Sequence, residues 1–226
     1  MSVSAAPVGF GHGGARPYDR ALVMGGALYL HGIGDDRAPT LMDVDRYAAE
    51  ADAADLTAIG RAAGAVIDLG CGPGRMVRAA IASGHFALGI DVSPTAVAIA
   101  QDAGLPVLCR DIDAVLPLEG RWGTALLIDG NIGIGGDPAR LLDRVRALLD
   151  PRGRIIVETS AGPDEARSFL AEVRDRCGRT SAAFPWAQIG STALARTAAE
   201  VGLRVEETWS HQARTFLALT GVDGRR

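Results

Sequence analysis

The sequence predicts an α/β domain in which a parallel sheet, covered by helices on both faces, ends in an antiparallel hairpin. Short apolar runs alternate with amphipathic helical segments over residues 65–158, and this alternation is typical of parallel sheets. The apolar runs at 204–209 and 215–220 are separated by only five residues. Because a parallel crossover needs a dozen residues or more, we expect these last two strands to pair as a hairpin.

Local signals define the elements in order. Ser93-Pro94 and Asp137-Pro138 each combine a helix N-cap with a proline in the first turn. Glycine and proline residues separate the remaining segments. The predicted strands before the hairpin are 65–69, 86–90, 105–109, 124–128 and 154–158, and the predicted helices are 75–83, 93–104, 137–149 and 191–201.

Two regions show a weaker pattern. Residues 1–42 are rich in glycine and proline and are predicted to form an irregular N-terminal arm or lid. Residues 43–226 form the remaining domain, which begins with a helix over about 43–62. Within it, 160–190 is long for a connection and is expected to be an insertion that covers the substrate. Whether 165–177 is helix or strand stays open.

Composition and charge exclude several classes of protein. With 226 residues, 48% of them apolar, the chain is expected to form one domain with a substantial core. The net charge of −4 disfavours nucleic acid as a partner. Cys71, Cys109 and Cys177 form no close pair, so we expect no metal site and a reducing compartment, the cytoplasm. No apolar run reaches the length of a membrane span, and no signal peptide is expected.

The strongest functional signal is the glycine-rich run Asp68-Leu69-Gly70-Cys71-Gly72-Pro73-Gly74, which ends a predicted strand and opens a helix. Alternate glycines allow a tight turn and a close approach of the backbone to a ligand. An ordinary strand-to-helix turn is one alternative. A dinucleotide site is another, but its fingerprint is G-x-G-x-x-G/A. Here the third glycine comes one residue early, and Arg75 occupies the position where the fingerprint has its last small residue.

The segment 66–74 resembles the first motif of the class I S-adenosylmethionine (SAM)-dependent methyltransferases, and the resemblance extends over about residues 64–160. It implies a Rossmann-like seven-stranded mixed sheet whose last strand is antiparallel, with SAM as cofactor and S-adenosylhomocysteine as product. In this family the glycine loop cradles the methionine and ribose parts of SAM, and the acid at the strand end contacts the methionine amino group. The corresponding residues here are Asp68, Gly70, Cys71, Gly72 and Gly74.

Acids after the next two strands complete the cofactor site that the resemblance implies. Asp91, followed by Val92, is expected to bind both ribose hydroxyls, because one carboxylate can accept two hydrogen bonds at once. Its alternative role is to cap the next helix. Asp111, followed by Ile112, is expected at the adenine amine, and Asp113 is the second choice. The alternative for this pair is that both acids are simply solvated.

Four residues are candidates around the methyl group. Asp129 and Asn131 lie in the segment D-G-N-I-G-I-G-G-D-P, which resembles a small-molecule methyltransferase subgroup. Both are predicted to act in catalysis, with Asp129 also binding the cofactor; turn formation is the alternative. Tyr18 resembles a tyrosine that closes over SAM in related enzymes, and simple packing is its alternative. His31 is a candidate general base, although a lone histidine is commonly structural.

The predicted reaction is transfer of the SAM methyl group to O, N, S or C of a small-molecule acceptor by in-line displacement. The sulfonium is already activated, so the protein mainly needs to exclude water and to align the reacting atoms at about 3 Å. Two alternatives stay open: an NAD-type dinucleotide-dependent oxidoreductase, and a SAM-binding accessory protein without turnover. The chain is expected to be a monomer or a homodimer.

Overall fold

The computed structural model describes residues 16–222; the first 15 residues of the predicted arm and the last four of the predicted domain lie outside the described residues. The helices are α1 (Arg16–Met24), α2 (Val44–Ala48), α3 (Ala53–Ile59), α4 (Arg75–Ala82), α5 (Pro94–Asp102), α6 (Pro138–Leu148) and α7 (Ser191–Glu200). The strands are β1 (Leu28–Gly32), β2 (Thr40–Met42), β3 (Val66–Leu69), β4 (Ala87–Asp91), β5 (Val107–Cys109), β6 (Trp122–Leu127), β7 (Leu149–Thr159), β8 (Ala166–Asp175), β9 (Phe184–Ile189), β10 (Leu203–His211) and β11 (Arg214–Gly221).

Seven of the described strands form the main sheet, in the order β5-β4-β3-β6-β7-β11-β10. Pairing is parallel from β5 to β7, whereas β11 runs antiparallel to both of its neighbours. The central strands β3 and β6 are buried along their whole length, as expected for a sheet with helices on both faces. The predicted Rossmann-like mixed sheet with its C-terminal antiparallel hairpin is confirmed.

The hydrophobic core is divided by this sheet. Ile155 packs in the core on one face and its neighbour Ile156 in the core on the other, because successive side chains of a strand point to opposite faces. A third core contains Tyr18 of α1, Leu28 of β1 and Phe184 of β9. Helix α1 therefore packs onto the body of the protein through an apolar contact.

A second sheet, antiparallel and four-stranded in the order β2-β1-β8-β9, corrects the prediction for the N-terminal region. Residues 1–42 were predicted to be irregular, but their described part contains α1, β1 and β2. The segment 165–177, for which helix or strand stayed open, contains the strand β8. Leu28 of β1 pairs with Asp175 of β8, so the partner that stabilises β1 lies far along the chain. A local pattern cannot reveal such a partner, because strand formation depends on the neighbouring strand.

The single helix predicted over about 43–62 is wrong, because two short helices, α2 and α3, occupy this region. Asp43 caps α2, accepting from the backbone N–H of Arg46. Asp52 then starts α3 with a capping box, in which its side chain and that of Asp55 each accept from the other's backbone N–H. The extended backbone of Asp52 separates the two helices. None of the helices in the described range is long and apolar enough to cross a membrane.

The strand order opens a cleft at the carboxyl ends of the parallel strands. The chain moves outward from β3 to β4 and β5, and then returns to β6 on the other side of β3. At such a reversal, the loops that follow the two central strands diverge and leave room for a ligand. Most residues predicted to bind the cofactor follow β3, β4, β5 and β6, so the topology brings them to this cleft.

Candidate cofactor and acceptor site

A cavity of about 440 Å³, which we call the first cavity, lies at this reversal of strand order. Its walls come from the ends of β3, β4, β5 and β6, with contributions from α1 and β9. Ten of the residues predicted to bind the cofactor line it: Tyr18, Asp68, Gly70, Cys71, Gly72, Asp91, Val92, Asp111, Ile112 and Asp129. The predicted catalytic residue Asn131 also lines this cavity, whereas Gly74 and His31 do not.

The glycine corner after β3 exposes backbone to the cavity. Gly70 and Gly72 take positive φ angles of 76° and 53°, a conformation that glycine adopts without steric cost. Neighbouring side chains also leave no room for a larger residue at Gly70, where a Cβ would lie 2.7 Å from Nδ2 of Asn131. At Gly72 a Cβ would lie 3.3 Å from the hydroxyl oxygen of Tyr18. Tyr18 therefore covers the corner from the side of α1.

The position of Gly74 corrects its predicted role as a cofactor contact. Gly74 is the N-cap of α4, with a φ of 89°, and it does not line the cavity. A Cβ at this position would lie 2.6 Å from Cδ1 of Leu105. Glycine is therefore required here for close packing of α4, the role that the last small residue has in dinucleotide-binding loops.

Asp68 provides a buried carboxyl group beside the corner. The residue is 3% exposed, and its Oδ2 has no hydrogen-bond partner among the described residues. Burial raises the pKa of its carboxyl to about 8, and the nearby guanidinium of Arg75 opposes part of this rise. An unsatisfied buried carboxylate is costly, so a cationic group in the cavity would offset the cost. The site therefore fits an ammonium group.

Asp91 connects the corner to the start of α5. Its Oδ2 accepts from the backbone N–H of Gly72 and its Oδ1 from that of Ser93, both at 2.8 Å. The side chain that caps α5 belongs to Ser93, so capping does not account for Asp91. Each oxygen of Asp91 keeps a second lone pair for a group in the cavity. Burial raises the pKa of Asp91, and the backbone N–H groups oppose this rise.

The acids beyond β5 differ in their surroundings. Asp113 faces Arg140, whose Nη1 lies 2.9 Å from both carboxylate oxygens. Asp111 accepts the backbone N–H of Asp113 through Oδ1, and Ile112 between them is buried. Both acids line the first cavity, and Asp111 remains our candidate for the adenine amine.

Asn131 holds the glycine corner through its side-chain amide. Nδ2 donates to the backbone oxygens of Leu69, at 3.0 Å, and Gly70, at 2.9 Å. The residue itself is fixed at the start of a short 3₁₀ turn, Asn131–Gly133. This arrangement makes Asn131 a positioning residue for the corner, and its predicted part in catalysis stays a prediction.

Asp129 lies at the boundary of the site with both carboxylate oxygens occupied. Its φ of 58° is uncommon for a residue other than glycine. Oδ1 accepts from Nη1 of Arg46 at 2.9 Å, and Oδ2 accepts from Nη2 of Arg75 at 2.7 Å. Burial raises the pKa of Asp129, and the two arginines oppose this rise. A carboxylate bound by two guanidinium groups has little capacity left to abstract a proton.

These contacts belong to a charge cluster that we call the junction network. It consists of Arg46, Arg75, Arg214, Asp52, Asp55, Asp129 and Glu158. Four carboxylates against three guanidinium groups leave one net negative charge. The sequence prediction did not identify this network, because its members come from seven separate elements and loops. The available local signal was Arg75, directly after the glycine run.

A second cavity, of about 500 Å³, lies between the end of β7 and the smaller sheet. The walls of the two cavities share four residues: Met42, Tyr47, Asp129 and Trp186. Molecules bound in the two cavities would therefore meet at this boundary. The sequence prediction did not identify Tyr47 as a site residue. Burial raises the pKa of Tyr47, so its phenol is neutral.

His31 lies away from both cavities. Its neighbour on β1, Leu30, lines the second cavity. Because successive residues of a strand point to opposite faces, the His31 side chain is on the other face of the smaller sheet. This placement removes the structural basis for His31 as a general base.

The sheet order and the glycine corner define a protein of the Rossmann-like methyltransferase class. A family model described as a methyltransferase domain matches residues 43–208. Since this match covers most of the chain, the chain belongs to this methyltransferase family and is an enzyme of the transferase class. No curated protein matches the sequence significantly.

Solved structures share the fold at low sequence identity. A SAM-dependent methyltransferase from Bacteroides fragilis, crystallised with S-adenosyl-L-homocysteine, is 20% identical, with a TM-score of 0.73 over 96% of this chain and 98% of that chain. The CcbJ methyltransferase from Streptomyces caelestis is 15% identical, with a TM-score of 0.58 over 77% of this chain and 92% of that chain. The 1,6-didemethyltoxoflavin-N1-methyltransferase from Burkholderia thailandensis is 18% identical, with a TM-score of 0.56 over 76% of this chain and 79% of that chain. At these identities, the likeness concerns the fold.

Proposed function

We propose that this enzyme transfers the methyl group of SAM to a small-molecule acceptor. The observation that carries the proposal is the glycine corner, which faces the first cavity between the unsatisfied Oδ2 of Asp68 and the carboxylate of Asp91. SAM has an ammonium group and a ribose diol but no phosphate, so the Asp68 carboxyl beside the corner suits it where it would repel a pyrophosphate, and Asp91 suits the ribose diol. The NAD-type alternative is disfavoured for the same reason.

Each part of the cofactor has a proposed partner. Asp68 would pair with the ammonium group, Asp91 would accept hydrogen bonds from both ribose hydroxyls, and Asp111 would accept from the adenine amine. The backbone of the corner, from Gly70 to Gly72, would lie against the methionine part. Val92 and Ile112 line the same cavity and would contribute apolar contacts, while Tyr18 would cover the bound cofactor.

The second cavity is the proposed place of the acceptor. When bound, the cofactor supplies a methyl group on an activated sulfonium. The chain's part is to exclude water and to hold the nucleophile in line with that methyl group. Asp129, held by two arginines, would orient and stabilise charge there rather than act as a base. The smaller sheet, which contains most of 160–190, would cover the acceptor as the predicted insertion.

Related structures support a small acceptor, since one describes a 1,6-didemethyltoxoflavin-N1-methyltransferase with bound 1,6-didemethyltoxoflavin and S-adenosylhomocysteine. Another describes a mitomycin 7-O-methyltransferase. All three cysteines are free, and Cys109 and Cys177 are exposed, which favours a reducing compartment such as the cytoplasm. We keep a monomer or homodimer as the expected assembly, to be measured by light scattering.

Isothermal titration tests the proposal. We expect SAM and S-adenosylhomocysteine to bind one site per chain, and NAD to give no heat. Asp91→Ala should weaken SAM binding by roughly 1.5–3 kcal/mol, the range for a hydrogen bond to a charged group. Asp102→Ala, an exposed residue on α5, is the matched control and should leave the affinity unchanged. If neither SAM nor its product binds, the proposed function is wrong; binding without any acceptor turnover would instead favour an accessory role.

A further inference from the structure

We propose that the acceptor is a neutral or cationic aromatic molecule and that the second cavity discriminates against anions. This inference rests on the proposed function and specifies its substrate class. Two features of the second cavity carry it: an aromatic wall at the boundary with the first cavity, and arginines whose charges are already paired.

The aromatic wall is built from Tyr47, Phe184 and Trp186, which all line the second cavity. Trp186 and Tyr47 also line the first cavity, so the wall stands where the methyl group would be transferred. The rings of Phe184 and Trp186 pack edge to face, with centroids 5.9 Å apart. Such a pair holds the indole in one orientation. A planar ring can stack on this surface, and a cation gains further from the faces of tryptophan and tyrosine.

The positive side chains of the second cavity have carboxylate partners. The cationic side chains among its lining residues are Arg37 and Arg167. Arg167 forms an ion pair with Asp35, and its Nε lies 3.3 Å from Oε1 of Glu165. The same Glu165 oxygen is 3.9 Å from Nη1 of Arg37. An anionic acceptor would therefore have to displace a carboxylate of the protein to reach the guanidinium of Arg167, whereas the exposed Arg37 is only loosely paired.

The inner end of the cavity is negative. Asp129 and Glu158 line it, and both belong to the junction network, which has one net negative charge. Glu158 already binds Arg214 through both carboxylate oxygens at 2.7 Å. A carboxylate on the acceptor would be repelled here, whereas an amine or a neutral heterocycle would not.

This charge arrangement also suits the reaction of a neutral nucleophile. When a neutral nitrogen attacks, its lone pair forms the new N–C bond, the C–S bond breaks, and the bonding pair stays on sulfur. The nitrogen then carries the positive charge until it releases a proton to water. The net negative network beside Asp129 would stabilise the charge that develops on nitrogen.

The test uses three bicyclic probes of similar size with the full chain saturated with S-adenosylhomocysteine: quinoline, N-methylquinolinium and 2-naphthoate. Dissociation constants are measured by calorimetry or ligand-observed NMR. We expect the neutral and cationic probes to bind at least about tenfold more tightly than the anion, the effect of roughly 1.4 kcal/mol. Trp186→Ala should weaken their binding at least about tenfold. Phe86→Ala, which removes an exposed ring outside both cavities, should have no effect.

A second variant tests the pairing directly. Glu165→Gln removes the carboxylate shared by Arg37 and Arg167, so it should tighten 2-naphthoate binding while leaving quinoline unchanged. Equal or tighter binding of the anion to the wild-type chain would overturn the inference, as would unchanged probe binding in Trp186→Ala. If S-adenosylhomocysteine itself does not bind, the proposed function is overturned instead. Titrations of the three probes in the absence of S-adenosylhomocysteine would still decide the charge preference of the second cavity.

Discussion

The buried carboxyl of Asp68 should make cofactor binding depend on pH. Its pKa of about 8 in the free protein means that at pH 7 about nine-tenths of the molecules carry a proton on this group. An ammonium group beside Oδ2 favours the ionised form. Cofactor binding at pH 7 should therefore release close to one proton from Asp68.

The magnitude follows from the same pKa. Only the ionised form pairs well with the ligand, so the dissociation constant of SAM should fall by about 30-fold between pH 5.5 and pH 7.0. Calorimetry in two buffers with different ionisation enthalpies counts the released protons. Asp68→Asn cannot ionise, so it should lose most of the proton release and most of the pH dependence over this range. Proton release that is equal in the wild type and in Asp68→Asn would refute the reasoning.

The free protein supplies an independent check of the same group. A folded pKa of about 8 lies above the unfolded value of about 3.9, so folding takes up a proton between these values. The contribution of Asp68 to stability is therefore greatest below about pH 4 and is lost as the pH rises to about 8. Asp68→Asn should raise the melting temperature of the ligand-free protein at pH 8, as measured by differential scanning calorimetry. A melting temperature of Asp68→Asn below that of the wild type would contradict the argument.

Three further predictions concern residues around the site. Gly74→Ala should destabilise the fold by about 1–3 kcal/mol more than Gly104→Ala, because both have positive φ but only Gly74 lacks space; equal losses in urea unfolding would contradict this. Arg75→Met should cost about 3–5 kcal/mol by removing a buried guanidinium that pairs with Asp55 and Asp129, whereas Arg78→Met, which removes a half-buried arginine paired with an exposed glutamate, should cost less than about 1 kcal/mol, again by urea unfolding. Asn131→Ala should weaken SAM binding by about tenfold in calorimetry, through loss of two donors to the corner; unchanged affinity would exclude its positioning role.

Local sequence signals predicted the main sheet and the residues that line the first cavity. Asp68 and Asp91 lie at the ends of two buried strands and the glycine run follows the first of them, and the topology of parallel strands then brings these residues together. Gly74 was assigned to the ligand because a glycine motif does not distinguish contact with a ligand from close packing. The structure provides that distinction through Leu105.

Features that depend on distant contacts were not predictable in this way. β1 pairs with β8, although the two strands are separated by most of the chain, so the smaller sheet has no local signal. Arg46 and Asp129 are 83 positions apart, and nothing around either residue indicates that they form an ion pair. The acceptor side of the site depends on both features, and for this reason the sequence predicted the cofactor side more completely.

A crystal structure of the chain with S-adenosylhomocysteine would test the central proposal most directly. We predict that both ribose hydroxyls lie within hydrogen-bond distance of the Asp91 carboxylate, and that the amino group lies beside Oδ2 of Asp68. A nucleoside bound outside the first cavity, or an Asp91 side chain directed away from the ribose, would contradict the account.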